Sequence, residues 1–476
     1  MPEVPTEILL HIASFIPKDE LHNFIGVNLF FYNLALDSRY STIRIESVDV
    51  QTHKLLQRLR DPAVAGRVRR LVVRPMLNLH RTQSAVNPSF WERIGTYVGV
   101  QTDPETPPLS IEDALVLVFP GLTNLMRFEV ESWDMSPDYD LEPFFRSAWA
   151  AFGRQLETIS MAGRPETFRQ FVASDPQPVS CTALSLQFTH ELDPMAATAV
   201  VGILVNSVAA FINSLAPHLR ALKIWSWSAL DLSALFNNLG HFPHLNDFHL
   251  RAPFNKALTD PTGLTRLLET NSSTLDTIEL RLNPTGIAMD PNSEYLLGEW
   301  FLSHRENDLV FTGLKLLRMY PTTLRTGFNA LIMYIERSAN TLTTLAVKDR
   351  YLNLDEVDAL ITPLSHRGAD QGLQALRLNV RVWNVELFDL LALKLPGLKS
   401  LSLYVGGSHP HRAATELLFA EMQTHSFAEW KLRDIGVWQG GSEVPSSTMR
   451  LLAKCFPAVQ SFWRNGHMLG EGKIYE

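Results

Sequence analysis

The chain has 476 residues, 46% hydrophobic and 19% charged, which is enough apolar material for a large core and excludes global disorder. A net charge of −8 argues against a surface that coats nucleic acid or an anionic membrane. Two cysteines, Cys181 and Cys455, cannot make a disulfide framework or a self-contained zinc site, so a reducing compartment, cytoplasm or nucleus, is expected. Glu3 and Glu7 stand where a secretory leader needs positive charge.

The first forty residues predict three short helices. Val4-Pro5-Thr6-Glu7-Ile8-Leu9 opens a helix with proline in its first turn, and Pro17 stops it. Ile8, Leu9, Ile12, Phe15 and Ile16 share one face of it. Asp19 can cap a second helix with Leu21, Phe24 and Ile25, followed by Val27-Asn28. A third runs from Leu29 to Asp37. So small a unit buries too little to stand alone and leaves apolar surface for a partner or for the domain behind it.

From Met195 to Leu219 no residue carries a formal charge. Val201, Leu204, Val205, Val208, Phe211 and Leu215 fall on one helical stripe, broken by Asn206, Asn213 and Pro217, so a packed core helix is expected rather than a membrane span.

A six-residue pattern, Φ-x-x-Φ-x-Φ with Φ apolar, recurs along the chain. It stands at Leu219-Leu222-Ile224, Leu245-Phe248-Leu250, Leu275-Ile278-Leu280 and Leu314-Leu317-Met319. It continues at Leu342-Leu345-Val347, Leu373-Leu376-Leu378, Leu398-Leu401-Leu403 and Phe427-Trp430-Leu432. The intervals are 26, 30, 39, 28, 31, 25 and 29 residues. Weaker copies precede them at Tyr40-Ile43-Ile45, Val68-Leu71-Val73, Leu125-Phe128-Val130, Leu156-Ile159-Met161 and Cys181-Leu184-Leu186, and a degenerate one follows at Val459-Phe462. Alternate apolar residues point to one face of a short strand, and the stretch after each copy can supply a covering helix. One such unit cannot bury its own apolar face, whereas stacked units can. The pattern resembles a leucine-rich-repeat solenoid, which implies an α/β horseshoe. The family's Asn or Cys three residues after the third apolar position appears only as Asn283, so the array is irregular.

With repeats behind them, the N-terminal residues resemble an F-box of the form common in fungal proteins. Val-Pro-x-Glu-Ile-Leu-x-x-Ile, Pro17-x-Asp19-x-Leu21, Val27 and the third helix carry the likeness over residues 4 to about 40, with Val4 in place of the usual Leu and Leu29-Phe30-Phe31-Tyr32 in place of Cys-Arg-x-Trp. The resemblance implies residues 1–40 as an F-box-like helical domain and 41–476 as the solenoid. It also implies docking on a Skp-family adaptor, and through it a cullin, as the substrate receptor of an SCF-type ubiquitin ligase. By position the adaptor-docking residues are Pro5, Ile8, Leu9, Ile12, Leu21 and Val27. The alternative is a scaffold or inhibitor-like binding protein whose N-terminal helices only cap the repeats, which predicts that Ile8, Leu9 and Ile12 are buried.

On a solenoid the third, fifth and seventh places of each copy line the concave sheet. In the eight stronger copies these include Lys223, Arg251, Arg281, Arg318, Lys348, Arg377, Lys431 and Arg433, against Asp247, Glu279 and Glu429 only. Trp225, His249, Tyr320 and Tyr404 lie among them. Guanidinium groups with aromatics suit an acidic or phosphorylated protein target, so this face is the expected target-binding surface. The basic segment 51–81 and the acidic segment 82–150 are expected to neutralise one another.

No nucleophile elbow, phosphate-binding loop, dinucleotide fingerprint or zincin motif occurs, and no enzyme activity, metal or cofactor is expected. His409-Pro410-His411 and the set His241, His244 and His249 read as turn or surface histidines. Asp355-Glu356 reads as first-turn helix charge.

Overall fold

The computed structural model describes residues 4–17, 20–46, 49–74, 111–133, 139–189, 197–226, 230–283, 289–306, 311–366, 372–406, 420–439, 442–443 and 446–462. The chain forms two compact units, Met1–Arg220 and Ala221–Glu476. Asp19, His409-Pro410-His411 and residues 75–110 lie outside the described residues.

The first unit begins with helix α1, Thr6–Ser14, with Pro5 at its N-cap, then a 3-10 turn, Leu21–Phe24. Helix α2, Leu29–Tyr40, is capped by the Asn28 side chain, which accepts the Phe31 N–H at 3.0 Å. It outruns the expected end at Asp37 because its last residue, Tyr40, is a core residue of the next repeat, 5% exposed. That burial outweighs the indifferent helix propensity of Ser38.

Strands β1 (Thr42–Ile45), β2 (Arg70–Val73), β3 (Arg127–Glu131), β4 (Thr158–Gly163) and β5 (Ala183–Phe188) pair in chain order, all parallel. The register aligns the motif's two strand positions: Ile43, Leu71, Phe128, Ile159 and Leu184 form one row. Ile45, Val73, Val130, Met161 and Leu186 form the next. Both rows are buried, and each such side chain contributes roughly 1.5–3 kcal/mol. Even the weaker copies of the motif are therefore strands, and the repeats start directly after α2. The covering helices Glu142–Phe152 and Pro165–Ala173 bring aromatic residues to the core, with Trp149 and Phe171 edge to face at 4.9 Å.

The uncharged stretch forms helix Ala197–Ile203, a π turn at Leu204–Ala209 and helix Ala210–Ser214. The π turn rotates the apolar stripe, so Ile203 is buried and Val201, placed on the stripe by 3.6-residue spacing, is exposed. Among the described residues no helix is long and apolar enough to cross a membrane.

The second unit repeats the plan. Its strands are β6 (Ala221–Ser226), β7 (Asp247–Arg251), β8 (Thr277–Arg281), β9 (Leu316–Met319), β10 (Thr344–Leu352), β11 (Ala375–Val380), β12 (Ser400–Val405) and β13 (Asp434–Gln439). They pair in parallel and in chain order, aligning Leu222, Phe248, Ile278, Leu317, Leu345, Leu376, Leu401 and Ile435. The anomalous 39-residue interval holds the long helix Pro291–Glu306. Asn353 and Glu356 make a capping box at Leu354–Ile361, the helix-start role expected of that acidic pair.

One copy of the motif differs from the expected register. Phe427 and Trp430 are buried but precede the strand, and Leu432-Ile435-Val437 is the triplet in register with Leu398-Leu401-Leu403. Two overlapping triplets share Leu432, and only pairing with β12 distinguishes them. Each unit is thus an α/β stack of strand-plus-cover repeats with a parallel sheet, the solenoid-like arrangement that the repeat pattern implies.

Candidate interaction surfaces

Two surfaces collect the candidate residues. The first lies on the N-terminal helices. Ile8 is 51% exposed, Ile12 46% and Val27 60%; Leu9 is half-buried and Pro5 exposed. Leu21 is the exception: at 6% exposure it joins Ala13, Phe31 and Ala35 in the interior. Its place in the 3-10 turn points it inward, so it is a packing residue, not a docking one. Phe15 and Leu29, not picked out from position, are the most exposed apolar side chains of the segment. Arg67 fastens α2 to the repeats by donating to the Asn33 side chain at 2.8 Å and to Asp37 at 2.5 Å.

The second surface is the open face of the second unit's sheet, the face away from the covering helices. Pairing lays the fifth-place residues in one row: Lys223, His249, Glu279, Arg318, Ala346, Arg377, Ser402 and Gly436. Glu279 is the centre of its charged half, 1% exposed. Arg251 reaches it at 2.6 Å, Arg318 at 3.3 Å and His249 Nδ1 at 3.5 Å. Burial alone would raise the Glu279 pKa; Arg251, then Lys348, His249 and Arg318, overcome that and hold it at about 2. Asp247 lies between Lys223 at 3.7 Å and His249 Nε2 at 2.7 Å, and despite its burial these neighbours hold it below the usual carboxylate range.

The expectation of a face lined by available cations is corrected in detail. Arg251 and Arg318 are buried on Glu279, and Arg281 pairs with Asp349 at 3.2 Å. Asp349 comes from a bulge in β10, where it takes the left-handed conformation (φ 60°) that Asp tolerates better than most residues. Tyr320 is 2% exposed and donates its hydroxyl to Glu294 at 2.7 Å, so it is a core residue. Lys431 and Arg433 are exposed but precede β13, off the sheet face, because of the shifted triplet. Trp225 remains on the face with the Arg251 guanidinium 4.3 Å from its ring centre. Lys348, Arg377 and Tyr404 are half-buried there, Arg377 lying 4.5 Å over the Tyr404 ring.

In the first unit, Arg70 makes a bidentate pair with Glu129 at 2.7 and 2.8 Å, one instance of the basic and acidic segments neutralising each other. Both cysteines are buried, and burial pushes the Cys181 thiol up to about 12. Among the described residues no group of three His, Cys, Asp or Glu is placed to hold a metal ion.

No family model matches the chain, and no curated protein matches it. Among solved structures, a chain described as "Crystal structure of Rad7 and Elc1 complex in yeast" is similar over 85% of this chain and 89% of its own, at 12% identity and a TM-score of 0.43.

Proposed function

We propose that the chain is a non-catalytic substrate receptor whose N-terminal helices dock on a Skp-family adaptor and whose repeats bind a target protein for ubiquitination by a cullin-based ligase. The observation that carries this reading is the exposure of Ile8, Ile12, Phe15, Val27 and Leu29 on one short helical segment that is anchored by Leu21 and Phe31. Isolated apolar side chains on a surface are ordinary, but a cluster of them is what an interaction site looks like. A mere cap would turn Ile8 and Ile12 into the repeats, where they would be covered. The F-box resemblance supplies the partner, and the paired charges and aromatics of the second sheet supply a surface suited to a protein target.

The test is co-expression with a Skp-family adaptor and pull-down of wild type and of an Ile8→Asp, Ile12→Lys variant. Both substitutions suit the helix: Ile8 is in the first turn of α1 and Ile12 in the last, so the new charges follow the helix dipole. Wild type is expected to hold the adaptor and the folded variant to lose it. A folded wild type that does not bind would overturn the receptor reading in favour of a scaffold.

A further inference from the structure

We infer that His11 lies within the adaptor-docking stripe of α1 and makes docking proton-linked: the neutral ring is covered together with the stripe, and the imidazolium opposes docking. The inference rests on the reading of the N-terminal helices as an adaptor-docking surface. To that reading it adds a docking residue and a control by pH.

Helical spacing sets His11 on the stripe. It follows Ile8 by three residues and precedes Phe15 by four, and at about 100° per residue all three fall on one face of α1 together with Ile12. All four side chains are exposed. The His11 and Phe15 rings meet edge to face, with centroids 5.0 Å apart. Phe15 is 74% exposed, so a partner that covers its ring takes the neighbouring imidazole with it. Leu9, Ala13 and Ile16, which are buried or half-buried, hold the other side of α1 to the chain, so covering the stripe leaves that attachment in place.

Charge sets the sign of the linkage. Glu7, one turn earlier, is the other ionisable side chain of α1, and it is exposed at the rim of the stripe. Glu20 and His22 at the 3-10 turn, and Tyr32, Asp37, Arg39 and Tyr40 on α2, make no ion pair with His11 among the described residues; Asp37 is taken by Arg67. The Ser14 hydroxyl donates to the His11 carbonyl at 2.7 Å, not to its ring. Apart from this ring the stripe is apolar, so it fits an apolar groove of the adaptor. Such a groove opposes a charged imidazole and accepts a neutral one. Histidine changes charge between pH 5 and 8, so docking releases a proton and weakens as pH falls. An acidic groove would pair with the imidazolium and reverse that sign.

The experiment is calorimetric titration of the full chain with a Skp-family adaptor at pH 7.5 and 5.5, with folding checked by circular dichroism at both. Wild type is expected to bind about tenfold more weakly at pH 5.5, the factor for one proton excluded a unit below the histidine reference value of 6.5. His11→Asn, which carries no charge at either pH, should bind with the same Kd at both, whatever that Kd is. At pH 6.5, titrations in two buffers of different ionisation enthalpy should show proton release on docking by wild type and less by His11→Asn. Equal binding by wild type at the two pH values, tighter binding at pH 5.5, or a loss at pH 5.5 that persists in folded His11→Asn would overturn the inference and leave the receptor reading standing. No binding by folded wild type at either pH would overturn both.

Discussion

The N-terminal helices and the open face of the second sheet both depart from an apolar interior beneath a polar surface, and they do so in opposite directions. The helices leave Ile8, Ile12, Phe15, Val27 and Leu29 in solvent. The sheet face takes Glu279, Arg251, Arg318 and His249 almost wholly out of it. The charged cluster completes itself, since Arg251 and Arg318 both find their counterion in Glu279 on the same face. The helical surface has no such internal completion. A buried ion pair adds little net stability against an apolar substitute, because desolvation offsets attraction, but losing one partner is costly. Charge on this sheet therefore holds neighbouring repeats in fixed geometry, whereas exposed apolar area on the helices is available for association.

The sharpest way to break this comparison is to remove the centre of the buried network. Glu279→Ala leaves Arg251 and Arg318 buried without their carboxylate and is expected to cost about 3–5 kcal/mol in urea unfolding. A loss below about 1 kcal/mol would mean that solvent reaches the arginines and that they are open to a partner after all.

Acid should reveal two steps of different origin. His304, fully buried in helix Pro291–Glu306 beside Tyr334, is held neutral by burial and by Arg337, its pKa pushed down to about 4 from 6.5. The unfolded chain binds this proton first, so the stability it contributes is full above pH 6.5 and is lost as pH falls towards 4, by roughly 3 kcal/mol in all. Glu279, held at about 2 against an ordinary 4.5, loses its contribution only as pH falls from 4.5 towards 2. Unfolding free energy measured from pH 7 to 3 should fall in the upper window first, and His304→Gln should flatten that window alone. A single fall confined below pH 4.5 would remove His304 from the account.

What the sequence made legible follows from what repeats constrain. Spacing alone located Leu71, Phe128, Ile159, Leu184 and their counterparts in the second unit, because a period-2 pair must face the core wherever strands stack. It failed at Phe427-Trp430-Leu432, where two triplets overlap and only hydrogen-bond pairing with β12 chooses between them. On the open face it named Lys223, Trp225, Arg377 and Tyr404 but not which residue pairs with which. Asp349 enters through a bulge that no motif predicts, and Trp438 stood outside the misplaced triplet. Whether Arg251 is available or committed depends on Glu279, 28 residues away, and on nothing local. On the helices, the apolar face was legible, but the inward aim of Leu21 depends on the 3-10 turn that carries it.

The smallest expected effect is the most informative about the other side of the comparison. Ile8→Asp with Ile12→Lys changes two side chains that are about half exposed, in turns where the new charges match the helix dipole. Unfolding free energy should therefore stay within about 0.5 kcal/mol of wild type, as for ordinary surface substitutions. Gly26→Ala serves as a companion, because a Cβ there meets nothing within 4 Å and should leave both folding and adaptor capture unchanged. A loss of several kcal/mol for the double variant would show that Ile8 and Ile12 are covered within the chain in solution, and the helices would then be a cap on the repeats. Unchanged stability together with lost adaptor capture would separate docking from folding at this surface, a separation that the buried network around Glu279 does not allow.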